Sequence, residues 1–130
     1  MVRLVPTALA LTLCLARAAS AQPALSPEGR WAVTTGEAEF EVQLCGADGT
    51  ALCAALVSLS PAASTPETTP YLGNRLVDEA ILVAPNVWAG LVDVAGQTLS
   101  GSARMVDADT AEVAGCLYLV ACRGVTLTRK

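Results

Sequence analysis

The sequence predicts an all-β domain of about eight short strands, a sandwich or an up-and-down barrel. Three observations carry this. Phe40, Val42 and Leu44 alternate with Glu39, Glu41 and Gln43, the period-two pattern of a strand with one buried and one wet face. Turn signals recur at short intervals, at Gly36-Glu37, Asp48-Gly49, Pro85-Asn86, Ala95-Gly96 and Asp107-Ala108-Asp109. No stretch combines helical periodicity with caps; the Ala-rich run 51–55 passes directly into Val57 and Leu59.

A processing segment precedes the domain. Arg3 supplies a short basic region, residues 4–16 an apolar run, and Ala19-Ser20-Ala21 a small-x-small cleavage signal. The run is shorter than the roughly 20 residues a membrane span needs, so residues 1–21 are expected to be removed, with no transmembrane segment left. Cys14 follows Leu13 and sits too early to accept a lipid. The expected product starts at Gln22, in the periplasm or outside the cell, with a flexible lead-in over 22–28 and a single domain over 29–130.

The elements follow in order. Gly29-Arg30-Trp31 opens a first strand over about 30–35, with the last strand, ending Thr126-Leu127-Thr128-Arg129, as its neighbour. Strand two carries the alternation of residues 39–44. Gly46 to Thr50 forms a hairpin loop whose Asp-Gly pair tolerates positive φ. Strand three covers 51–59. A loop centred on Gly49 places Cys45 opposite Cys53, which is the expected register. Residues 60–70 are a Pro/Ser/Thr-rich surface excursion. Strands are then expected over 80–84, 87–94, 98–106, 110–116 and 122–129. Leu117-Tyr118-Leu119-Val120-Ala121 breaks the turn rules, with no Gly, Pro, Asn or Asp. It is expected to fold over one barrel end under a Cys116–Cys122 bridge; the alternative is an exposed patch for a partner.

Composition narrows the function. The chain holds 8 basic and 12 acidic residues and no histidine; with Arg3 and Arg17 in the leader, the domain carries −6. Nucleic acid and anionic membrane surfaces both call for basic patches, so neither is an expected partner. Without histidine the commonest general base is missing. No nucleophile–base set is recognisable, so no catalytic residue is assigned and the protein is not expected to be an enzyme. Asp107 and Asp109 lack the further oxygen ligands of a calcium site. No metal site and no cofactor are expected.

Five cysteines are present, and four remain after cleavage: Cys45, Cys53, Cys116 and Cys122. An even count behind a secretory signal reads as two disulfides. Spacing favours the local pairs Cys45–Cys53 and Cys116–Cys122 and leaves the other two connectivities open.

Binding is the remaining class. An eight-stranded barrel is filled by side chains or holds one small ligand. The inward candidates are Phe40, Val42, Leu44, Leu56, Trp88, Leu99 and Met105. Short strands enclose little volume, which favours a filled core. Two functions are therefore carried: a module that takes a small apolar or amphiphilic ligand in the barrel, and a structural or interaction protein that meets an envelope partner through its surface or the loop Leu117-Tyr118-Leu119-Val120.

The set Gly29-Arg30-Trp31, Leu44-Cys45-Gly46, Leu52-Cys53-Ala54-Ala55-Leu56-Val57, Trp88-Ala89-Gly90 with Gly96-Gln97-Thr98, and Cys122-Arg123-Gly124-Val125-Thr126-Leu127-Thr128-Arg129 resembles domain-of-unknown-function family 2147, small exported bacterial proteins with a lipocalin-like barrel. The resemblance spans 29–129 and rests on order and spacing. The chain has Leu99 and Leu127 where the family usually carries an aromatic. The resemblance implies a calycin-type antiparallel barrel. It also implies closure by Gly29, Trp31 and Arg129, with the guanidinium over the indole; Arg123 is the alternative partner.

Overall fold

The computed structural model describes residues 25–94, 96–117 and 121–130. The leader with its cleavage signal, and Tyr118, Leu119 and Val120 of the apolar connection, lie outside them.

The described chain forms β1 (Gly29–Val33), β2 (Ala38–Cys45), β3 (Ala51–Leu59), β4 (Arg75–Ala84), β5 (Val87–Val94), β6 (Gln97–Asp107), β7 (Thr110–Leu117) and β8 (Ala121–Arg129), with a short 3-10 turn at Thr69–Tyr71 before β4. Each strand pairs antiparallel with the next, and β8 returns to β1, closing an eight-stranded barrel. Closure leaves no sheet edge to pair with another chain. Because every connection is a hairpin, the turns alternate between two ends. The lead-in, the C-terminus and the turns after β2, β4 and β6 share one end, the floor. The turns after β1, β3, β5 and β7 share the other.

Alternation sorts the side chains. Trp31, Val42, Leu52, Ala54, Ala80, Trp88, Met105, Ala111 and Leu127 form the buried inner cluster. The outer positions of β1, β2, β6 and β7 carry Arg30, Glu39, Glu41, Arg104 and Glu112, charges that a lipid-facing band excludes. No helix among the described residues is long and apolar enough to cross a membrane.

Three expectations need correction. The lead-in is not loose over 25–28. Leu25 N donates to Asn86 Oδ1 at 3.1 Å, Pro27 is buried, and the Ser26 and Glu28 carbonyls accept from Arg129. The fourth strand starts at Arg75, five residues before the expected start. Asp78 and Glu79 look like loop residues in sequence but belong to an irregular strand whose pairing with β3 shifts twice. Glu79 takes φ 54° there, and its amide points at Cys53 Sγ at 3.4 Å.

The third correction concerns register. Cys45 stands opposite Ala51 and Cys53 opposite Gln43, so the loop is centred on Asp48. Both expected disulfides form. Cys45–Cys53 is therefore a diagonal bridge with Cα atoms 6.0 Å apart. Cys116 and Cys122 face each other directly, with Cα atoms 4.0 Å apart.

Candidate ligand cavity and its closure

The floor is built from two indoles and one guanidinium. Trp31, 2% exposed, donates its Nε1–H to the Pro27 carbonyl at 2.8 Å. Trp88 donates to the Thr50 carbonyl at 2.9 Å. Each indole thus spends its one polar group on backbone at the floor, and its apolar ring is left to the interior. Arg129 stands opposite Trp31 across the β1–β8 seam, its guanidinium carbon 4.4 Å from the ring centroid. Arg129 also donates to the carbonyls of Ser26, Glu28 and Ala108 and lies 3.7 Å from an Asp109 carboxylate oxygen. Lead-in, first strand, last strand and the β6–β7 turn are thereby joined at one side chain. A Cβ on Gly29 would come within 2.9 Å of Arg129 Nη1, and Gly29 holds φ +131°, so both the space and the backbone demand glycine here.

Above the floor lies a cavity of about 260 Å³. The filled core favoured by the strand lengths is not what forms. The reason is side-chain size. Gly90, Gly101 and Gly115 lie in one cross-strand row on β5, β6 and β7, and Ala54, Ala80, Ala103 and Ala111 face the same space. Closure by hydrogen bonding holds the walls apart, and residues this small do not reach across.

The walls are apolar. Among the described lining residues only Ser102 and Arg104 carry polar side chains outside the floor. Both stand at outward positions, Ser102 opposite Ala89 and Arg104 bonded to Glu112 at 2.6 Å. Of the seven inward candidates, Phe40, Val42, Trp88, Leu99 and Met105 line the cavity. Leu44 packs against the inner cluster, and Leu56 is buried, yet neither borders the space. Reading by alternation missed Leu52, Val92, Val113 and Leu127, which also line it. Their positions i±2 along β3, β5, β7 and β8 were available as a signal, but runs of small residues on those strands obscure which face is inner.

One lining residue marks the opening. Val125 borders the cavity and is 48% exposed, whereas Trp31 at the floor is almost wholly covered. The mouth is thus at the end away from the closure. Arg123, the alternative partner for Trp31, lies at this mouth and far along β8 from the indole. Leu117 ends β7 at the same end.

Comparison with family models, with curated proteins and with solved structures gives no match for this chain.

Proposed function

We propose that the protein is a non-catalytic binding module of the cell envelope that takes a small apolar or amphiphilic ligand in its barrel. The cavity is the observation that carries this reading: an apolar space floored by Trp31 and Trp88 and bordered by the half-exposed Val125. Apolar cavities accept apolar guests. An engineered cavity of about 150 Å³ takes a benzene, so 260 Å³ suits a guest of about ten carbon atoms by proportion. Two disulfides fit an oxidising compartment, and with the leader they support export to the periplasm or beyond. The likeness to domain-of-unknown-function family 2147 is part of the same proposal and rests on the spacing of the residues quoted for it.

The direct test is titration with 1-aminonaphthalene, a neutral fluorescent guest of matching size. Saturable binding that octan-1-ol displaces is expected. Absence of saturable binding, together with empty protein by native mass spectrometry after gentle purification, rules the reading out.

A second reading has its own observation. Ile81, Val83 and Leu91 on the outer face of β4 and β5 are 68%, 59% and 70% exposed. An apolar outer face of this kind favours contact with an envelope protein. It predicts that Ile81→Lys with Leu91→Lys abolishes complex formation and leaves guest binding intact.

A further inference from the structure

The mouth of the cavity carries a cation that forms no ion pair with any described side chain. The described residues include six basic side chains. Five have acidic partners: Arg30 and Lys130 with Glu39, Arg75 with Asp78, Arg104 with Glu112, and Arg129 with Asp109. Arg123 alone among the described basic residues has none. Its position is specific. Arg123 pairs with Gly115, which lines the cavity, and Val125, two residues along on the same face, lines it as well. Arg123 is therefore at an inward register position on the rim, one step above the last lining residue of β8. Gly115 opposite has no side chain to block it, and a Cβ there would meet only Leu99 Cδ1, at 3.9 Å.

We infer that the cavity selects a single-chain amphiphile with an anionic head, such as a medium-chain carboxylate, its chain on the two indoles and its head on Arg123. This deepens the binding reading above and rests on it. The chemistry is complementary at each level. The apolar interior suits the tail, since the indole N–H groups of the floor are spent on the Pro27 and Thr50 carbonyls and the other inward-facing described lining residues are apolar. The planar guanidinium presents paired donors that match a carboxylate. The domain's net −6 disfavours anions in general, and the one described cation without an acidic partner stands where an anionic head would sit. Of the acidic residues towards this end, Glu37 lies in the turn after β1, Glu67 in the long loop after β3 and Asp93 near the end of β5; neither Glu37 nor Glu67 forms an ion pair with Arg123.

Calorimetric titration with octanoate and with octan-1-ol tests this, on the mature chain and on Arg123→Gln, with Arg75→Gln as a surface control. Octanoate is expected to bind about five- to tenfold more tightly than the alcohol, as one charge-assisted contact at a rim allows, with the preference shrinking as salt rises. Arg123→Gln should remove the preference and leave octan-1-ol binding unchanged; Arg75→Gln should alter neither. Equal affinities for the two guests in the parent protein, or a preference that survives Arg123→Gln, overturn the inference while the cavity reading stands. Failure of octan-1-ol itself to bind removes both.

Discussion

At the scale of single residues, Arg129 joins more of the molecule than any other described side chain. Its guanidinium covers Trp31 and donates to three backbone carbonyls from two separate segments. Such contacts are worth about 0.5–2 kcal/mol for the cation–π term alone, and burial of the indole adds more. Trp31→Ala is therefore expected to cost about 3 kcal/mol or more, as large aromatic truncations do, measured by urea unfolding at equilibrium. A Trp31→Ala protein that melts unchanged yet loses its guest would mean that the indole serves binding rather than closure. Gly29→Ala tests the same closure from its other side. The new methyl meets Arg129 Nη1 at 2.9 Å on a backbone at φ +131°, so a loss of about 1–3 kcal/mol is expected, with Gly115→Ala, whose Cβ meets only Leu99 Cδ1 in ordinary contact at 3.9 Å, costing far less.

At the scale of elements, hairpin order does most of the folding work, and two disulfides support it. Each bridge closes a short local loop, with sequence separations of 8 and 6. The chain-entropy estimate for loops of this length is on the order of 2–3 kcal/mol each. Replacing Cys45 and Cys53 together by Ser is expected to lower stability by about that amount while leaving the barrel closed, checked by denaturant midpoint and far-ultraviolet circular dichroism. β4 shows where reading elements from sequence stops. Arg75, Asp78 and Glu79 have the composition of a loop, yet the strand passes through them by shifting register twice against β3. A bulge is a property of two strands together, since the extra residue exists only relative to its partner. The same holds for the Cys45–Cys53 bridge. Cysteine spacing proposes the pair, but whether it is direct or diagonal depends on which loop residue takes the turn.

At the scale of the whole molecule, closure and emptiness are linked. Eight paired strands fix a barrel girth, and the interior is filled only as far as its side chains reach. Here the Gly90–Gly101–Gly115 row and the inward alanines leave about 260 Å³ unfilled. Gly115→Val should narrow the cavity without strain, since only Leu99 lies near the new Cβ, at 3.9 Å. Guest affinity is expected to fall at least about tenfold, as lost apolar contact of this size implies, with the melting temperature unchanged or raised; calorimetry and thermal unfolding check the two halves. The sequence by itself determined the all-β class, gave about eight strands and most of the turns, and favoured the two local cysteine pairs that form. These follow from local rules, namely a period of two, residues that accept positive φ, and short spacing. It also showed Phe40, Val42, Trp88, Leu99 and Met105 as inward. The pairing of β8 with β1 and the placing of Arg129 over Trp31, expected from the resemblance, are present; only the tertiary structure decided that residues 25–28 strap the floor, that the core is hollow, and that Arg123 has no acidic partner among the described residues. Each of those depends on residues far apart in the chain meeting across a closed surface, and no local pattern records that distance.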